Sequence, residues 1–170
     1  MKEKIIKEFI EQSLYIFDQN TPRITRCMNE LEEADTWKRP NNASNSIGNL
    51  ILHLCGNITQ YIISSLGEAK DIRERDKEFS ADGGFSKPEL IEKLHTTIEK
   101  AKNVIQQMDG DSLLRKRIVQ GFQYSGMGII IHVTEHYSYH TGQVVFWTKL
   151  LKNKDLGFYA GIDLNKKNEQ

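Results

Sequence analysis

The chain has 170 residues, with 23 Lys and Arg against 23 Asp and Glu and therefore no formal net charge. A chain of this length can bury a hydrophobic core without disulfides or a structural metal, and we expect one domain over residues 1–170. Because the chain is neutral, it has no overall attraction for nucleic acid or for an anionic membrane, and neither is an expected partner. The sequence also lacks a run of about 18 apolar residues that would span a bilayer.

The two cysteines, Cys27 and Cys55, lie far apart and form no Cys-x-x-Cys pair. No basic and then apolar leader precedes the first predicted helix. The sequence therefore predicts a cytoplasmic protein with reduced thiols.

Apolar residues recur at spacings of three and four, which predicts an all-α protein with four long helices. The first helix is expected from Lys2 to about Asp35. Pro22 either kinks this helix or restarts it, because proline lacks the N–H donor and clashes with the preceding turn.

The second helix is predicted from a Ser46 cap to about Leu66, in a stretch between Arg39 and Glu68 that contains no charged residue. We therefore expect this helix at the centre of the fold. Its apolar residues leave one narrow uncharged stripe, which consists of Ser46, Asn49, His53, Asn57, Gln60 and Ser64. The stripe either faces solvent or lines a polar pocket inside the fold. Other exposed faces of this chain carry Lys and Glu, which favours the pocket.

Residues 67–86 are rich in charge and glycine and predict a long loop over the surface. The segment Ser86-Lys-Pro-Glu89 combines an N-cap, an early proline and a capping-box glutamate, so a third helix is expected from Ser86 to about Asp109. His95 on this helix is expected at an exposed rim. Residues 117–124 alternate loosely and predict an extended connection.

The fourth helix is predicted from Ser125 to Lys152, and it is the second central helix because Glu135 is the only charged residue between Arg117 and Lys149. A helical projection places Thr141 on the face opposite the core. The inward side is expected to contain Ile129, Val133, His136, His140, Trp147 and Leu151.

Three histidines of the fourth helix, His132, His136 and His140, recur at every fourth residue. A spacing of four advances about 40° around a helix and about 6 Å along it, so neighbouring histidines in this series can share one metal ion. His132 and His140 lie about 80° and more than about 11 Å apart, which is too far for one small ion to bind all three.

Two interpretations of His136 and His140 follow from these residues. With His53 from the second helix they can form a site of three neutral imidazoles and an open position, as in catalytic zinc sites. Alternatively, they are core histidines that hydrogen bond to Asn49, Asn57 or Gln143.

Several segments of the chain resemble the DinB/YfiT-like superfamily of four-helix bundles, and the nearest branch has no known function. The resemblance is carried by Ser46-Ile-Gly-Asn-Leu-Ile-Leu-His-Leu-Cys-Gly-Asn57, Glu135-His-Tyr-Ser-Tyr-His-Thr-Gly-Gln143, Leu150-Leu151 and Asp155-Leu-Gly-Phe-Tyr159. It covers nearly the whole chain. It implies an up-down-down-up order of helices with a long crossover, and a homodimer.

The resemblance also implies that His53, His136 and His140 bind one divalent metal, for which zinc, nickel and manganese are described in the superfamily. Many members have arginine directly after the last histidine, whereas this chain has Thr141. No role of that arginine is therefore carried over. Several branches look like thiol S-transferases, which implies a low-molecular-weight thiol such as bacillithiol or mycothiol as a co-substrate.

The residues and the resemblance are compatible with three functions. Three neutral nitrogens leave the charge of a bound cation uncompensated, and such a cation favours hydroxide from water or thiolate from a thiol. The protein is then an enzyme that transfers a thiol to a small-molecule electrophile, or a metal-dependent hydrolase. The third possibility is a non-catalytic ligand-binding bundle.

Five polar or aromatic residues are expected to surround the metal ligands or to line the pocket: Asn49, Asn57, His132, Tyr139 and Gln143. The sequence identifies no general acid or base. Glu135 projects about 100° away from its neighbour His136, so we expect it to pair with another helix or another subunit.

Overall fold

The computed structural model describes residues 1–169, most of which lie in helices. The helices are α1 (Lys2–Glu30), α2 (Glu33–Thr36), α3 (Ile47–Ile58), α4 (Arg75–Ser80), α5 (Lys87–Gln106), α6 (Gly110–Leu114) and α7 (Gly126–Lys152). A π-helical segment, Thr59–Ser64, continues α3. Two short strands, β1 (Lys116–Val119) and β2 (Phe122–Ser125), lie between α6 and α7.

The four long helices α1, α3, α5 and α7 form a bundle whose directions follow from side-chain contacts. Helices α1 and α7 are parallel, because Asn20 contacts Ser138 and, further toward the C-terminal end of both helices, Glu30 contacts Lys154. Helices α1 and α5 are antiparallel, since Thr25 meets His95 whereas Asp18 meets Lys102, and α3 is antiparallel to α7. Helices α3 and α5 are parallel. The predicted all-α, up-down-down-up bundle is confirmed.

The first helix differs from its prediction at its end. It passes through Pro22 without a break and stops at Glu30, not at about Asp35. Residues after Leu31 form the separate helix α2, whose start is fixed by a reciprocal capping box between Glu32 and Asp35.

Helix α7 is buried on two sides, which corrects the expected outer face. Thr141 is buried, and its hydroxyl donates to the carbonyl of Tyr137, which is itself fully buried. The Tyr137 ring lies 5.2 Å from that of Phe17, and its hydroxyl is hydrogen bonded to Thr21. The face assigned to solvent therefore packs against α1, because α7 lies between α1 and α3.

The predicted extended connection over residues 117–124 is a small antiparallel hairpin. Its turn places Gln120 and Gly121 at φ of 52° and 82°, the left-handed backbone that a tight hairpin turn requires. Tyr61 of the π-helical segment donates to the Gln120 side chain, which attaches the hairpin to the bundle.

The connection from α3 to α5, residues 65–86, is mostly exposed, as its charges predict, but it contains a helix and docks on α3 through a few buried side chains. Because α3 and α5 are parallel, the chain must return along the length of the bundle before α5 can begin. It does so along the uncharged stripe of α3, and part of it is helix α4. The stripe holds this crossover segment through side-chain bonds from Ser64 to the Ala69 carbonyl, from Gln60 to Asp71, and from Asn49 to the carbonyls of Glu78 and Ala81.

Within residues 1–169, no helix has both the length and the apolar character that crossing a membrane requires.

Asn49→Ala should detach the crossover segment from the start of α3. Asn49 is fully buried, its Nδ2 lies 2.9 Å from the Glu78 carbonyl and 2.7 Å from that of Ala81, and its Oδ1 completes the Ser46 capping box. We expect the free energy of unfolding to fall by about 2 kcal/mol, because two buried carbonyls lose their donor. Urea unfolding and amide exchange over residues 75–81 measure the effect. Asn103→Ala, at an exposed position of α5, should change the free energy by less than about 0.5 kcal/mol; an equal loss in both variants would contradict the assignment.

Candidate functional site

Three imidazoles from two helices converge in the interior of the bundle. Helix α3 contributes His53, and α7 contributes His136 and His140. The Nε2 atoms of His53 and His136 lie 2.9 Å apart, and each of the three residues offers one ring nitrogen within 4.8 Å of the others. The antiparallel packing of α3 against α7 creates this group, which we call the histidine cluster. Its geometry could hold one metal ion.

His140 is held by a neighbour on its own helix. Its Nδ1 lies 2.7 Å from Oε1 of Gln143, three residues further along α7. An amide oxygen only accepts, so Nδ1–H donates to it and Nε2 keeps its lone pair for the cluster. Gln143 therefore orients the imidazole and fixes its tautomer, as a carbonyl oxygen does behind a metal-binding histidine.

His53 is held by a carboxylate from the crossover segment. Oε2 of Glu78 lies 3.1 Å from Nδ1 of His53, on the side of the ring that faces away from His136. Donation from Nδ1–H to this carboxylate leaves the Nε2 lone pair directed into the cluster. Arg73 also approaches the same Nδ1, with its Nη2 at 3.2 Å.

Arg73 and Glu78 form a buried ion pair behind His53. The guanidinium contacts both carboxylate oxygens, with Nε at 2.7 Å and Nη2 at 2.8 Å, and it donates through Nη1 to Gln60. Their side chains are only 3% and 10% exposed. Burial raises the pKa of Glu78, but the hydrogen bonds from Arg73 and His53 together lower it by more than burial raises it. The pKa therefore lies below the ordinary range, and the carboxylate is charged at neutral pH.

Neither member of this pair was among the predicted site residues. Their segment reads as a charged surface loop, and charge alone does not reveal burial. The parallel order of the second and third helices was the available signal, because it requires the intervening segment to cross the uncharged stripe that contains His53.

The two imidazoles that α7 contributes to the cluster, those of His136 and His140, are neutral at physiological pH. Burial, followed by the neighbouring imidazoles of His140 and His53, lowers the pKa of His136 to about 3. Burial likewise lowers the pKa of His140 to about 4, against the opposing hydrogen bond to Gln143. Neutral imidazole is the form that binds a cation, and carboxylate and amide oxygens stand behind two of the three rings. The donor set therefore fits a divalent ion such as zinc.

The other predicted pocket residues divide into those near the cluster and those elsewhere. The half-buried ring of His132 is stacked 5.7 Å from that of His136 and also contacts Tyr61, so it lies beside the cluster and outside its three-nitrogen group. Tyr139 is exposed, and its ring meets the edge of His140 at 5.0 Å.

Asn49 binds the crossover segment, as described above, and contacts no histidine through a hydrogen bond in residues 1–169. Asn57 is buried on the same stripe, and its Oδ1 has no hydrogen-bond partner among the described residues. Glu135 is exposed and forms no ion pair within residues 1–169, so the expected partner on another helix is absent from this part of the chain. His95 is exposed, as predicted. Its Nε2 lies 2.8 Å from the hydroxyl of Thr25.

A cavity of about 450 Å³ adjoins the cluster at Gln143. It lies between α7 and the connector that precedes α3. Among residues 1–169, no ionisable side chain lines it. Its walls are Pro40, Asn41, Ala43, Ser44, Asn45, Leu50, Gln143, Phe146, Trp147 and Leu150. A cavity of this size and character suits a small, largely apolar molecule.

Comparisons with known proteins agree with this fold. A family model described as a protein of unknown function, DUF1572, matches residues 4–161. A DinB-like protein from Bacillus subtilis, YjoA, is 15% identical and superimposes with a TM-score of 0.65 over 85% of this chain and 94% of its own. A mycothiol-dependent maleylpyruvate isomerase, crystallised as a histidine-to-alanine mutant, is 11% identical, with a TM-score of 0.59 over 82% of this chain and 67% of its own. No curated protein sequence matches the chain. The DinB-like resemblance is confirmed at the level of the fold.

His136→Ala should abolish stoichiometric binding of Zn²⁺, because it removes one of the three nitrogens of the cluster. His132→Ala should bind Zn²⁺ within about threefold of the wild type, since only a stacked neighbour is lost. Titration of untagged, metal-free protein against a competing chelator measures both affinities. Equal losses in the two variants would mean that the cluster is assigned wrongly.

Proposed function

The chain belongs to the DUF1572 family, and we propose that it is a metal-dependent enzyme that transfers a low-molecular-weight thiol to a small electrophilic substrate. The observation that carries the proposal is the convergence of three imidazole nitrogens, with the outer nitrogens of His53 and His140 within hydrogen-bond distance of oxygen acceptors. His53, His136 and His140 would hold a divalent zinc, nickel or manganese ion. We expect the enzyme to be a cytoplasmic homodimer with a single domain over residues 1–170.

The chemistry that a divalent ion supplies in such a site is Lewis acidity, which lowers the pKa of a bound thiol so that thiolate forms near neutral pH. In the proposed transfer, the thiol proton passes to solvent and a sulfur electron pair forms a bond to the electrophilic carbon. The leaving group departs with the electrons of the bond that breaks. Gln143 both orients His140 and borders the cavity, so it can place the substrate beside the cluster.

The thiol has to come from outside the chain. Both cysteines are buried. Burial raises the pKa of Cys27 and raises that of Cys55 to about 11, so neither is a nucleophile at neutral pH. The fold shared with a mycothiol-dependent isomerase supports the same choice of co-substrate.

Hydrolysis is the alternative reaction, and a carboxylate that takes the proton from an attacking water would favour it. Glu78 is the carboxylate nearest to the cluster through hydrogen bonds, and Arg73 and His53 already occupy both of its oxygens. Glu135 is exposed and makes no ion pair or hydrogen bond to the cluster in residues 1–169. A bound cation would favour hydroxide from water as well as thiolate from a thiol, so the requirement for a thiol in the assay decides between the two reactions.

Protein purified without an affinity tag should contain close to one divalent ion per chain. It should also accelerate conjugation of bacillithiol or mycothiol with 1-chloro-2,4-dinitrobenzene. His136→Ala should lower kcat/KM at least about 100-fold, because the ion is lost, whereas His95→Ala should leave it unchanged. Elemental analysis and a spectrophotometric conjugation assay measure the two properties.

Two outcomes would overturn this proposal. Absence of stoichiometric metal, together with a melting temperature that chelation does not change, would leave a non-catalytic bundle. Metal-dependent cleavage of ester or amide substrates without any thiol requirement would identify a hydrolase.

A further inference from the structure

We infer that Glu78 is a positioning residue that selects the metal-binding tautomer of His53, and that Arg73 opposes it at the same ring nitrogen. The inference rests on the proposed metal site and deepens it. By this inference the crossover segment, whose sequence predicts a surface loop, contributes two side chains that act on His53.

Two neighbours compete for Nδ1 of His53. When Nδ1 carries the proton, it donates to Oε2 of Glu78 at 3.1 Å, and the Nε2 lone pair faces the cluster. When Nδ1 is bare, it accepts from Nη2 of Arg73 at 3.2 Å, and Nε2 carries the proton. That second tautomer can donate from Nε2–H to the Nε2 of His136, 2.9 Å away, and it cannot bind a cation.

The arrangement of the ion pair favours the first tautomer. Both competing hydrogen bonds to Nδ1 involve an ionised partner, the Glu78 carboxylate or the Arg73 guanidinium, so charge assistance alone does not separate them. Nη2 of Arg73 already donates to the same carboxylate at 2.8 Å, so it has less to gain from His53. Glu78 thus keeps the lone pair on the atom that faces His136.

Gly56 provides the space that this arrangement needs. It lies three residues after His53 on α3, and a Cβ atom added there would stand 1.9 Å from Oε1 and 2.7 Å from Cδ of Glu78. No side chain fits between α3 and the carboxylate. Alanine at this position would displace Glu78 without removing any polar group.

The test compares two variants that break the same ion pair from opposite sides. Glu78→Met leaves Arg73 as the only polar neighbour of Nδ1, so the tautomer should change to Nε2–H and the affinity for Zn²⁺ should fall at least about 50-fold. Arg73→Met leaves Glu78 in place, so Nδ1–H should persist and the affinity should fall less than about fivefold. Zn²⁺ titration of the untagged full chain gives the affinities, and ¹⁵N imidazole spectra of the metal-free protein give the tautomer.

Glu78→Met and Arg73→Met each leave the other member of the ion pair buried without its partner, which can prevent folding. Two glycine variants then provide a second measurement. Gly56→Ala should lower the Zn²⁺ affinity about tenfold and shift His53 toward Nε2–H. Gly142→Ala on α7, where an added Cβ meets nothing within 4 Å, should leave both unchanged.

The outcomes separate the inference from the proposed function. Equal losses of affinity in Glu78→Met and Arg73→Met, or an unchanged His53 tautomer in Glu78→Met and Gly56→Ala, would overturn the role given to Glu78. If the wild type binds no Zn²⁺, the metal site itself is wrong, and the ¹⁵N spectra still decide which neighbour sets the tautomer.

Discussion

The parallel direction of α3 and α5 is the constraint on which the site depends. Two parallel helices cannot be joined by a tight turn, so residues 65–86 must return along the bundle. The uncharged stripe of α3 offers hydrogen-bonding groups along that path and no competing charge. The returning segment bonds to Asn49, Gln60 and Ser64 of the stripe and places a carboxylate behind His53.

The electrostatics of the interior follow from this docking. The ion pair that residues 1–169 place behind the histidine cluster joins Arg73 and Glu78 and adds no net charge. The imidazoles of His136 and His140 remain neutral because burial and the neighbouring imidazoles depress their pKa values. A buried pair of this kind gives little net stability, since desolvation offsets much of its attraction. Its proposed contribution is to the tautomer: Glu78 sets which nitrogen of His53 carries the proton.

The three histidines of α7 have different partners across the bundle. His136 and His140 face α3 and meet His53, whereas His132 lies one turn earlier, where α3 has widened into the π-helical segment and Tyr61 takes the position opposite it. The spacing of four is therefore common to all three, but the partner across the bundle differs. π-Helical turns of this kind often occur beside functional sites because they change which side chain faces a pocket.

Periodicity and capping residues in the sequence determined the four long helices, and the absence of charge identified α3 and α7 as central. Helical geometry also separated His132 from the pair His136 and His140, because the distance between two side chains of one helix depends only on their spacing in the sequence. The resemblance to DinB-like proteins supplied the order of the helices. Only the tertiary structure decided that residues 67–86 dock on α3 with Arg73 and Glu78 buried, and that α7 is covered on both sides. Arg73 and Glu78 lie only five residues apart, but their segment carries no local signal that the pair is buried, because His53 and Gln60, which it contacts, are distant in sequence and meet it only when the crossover segment docks.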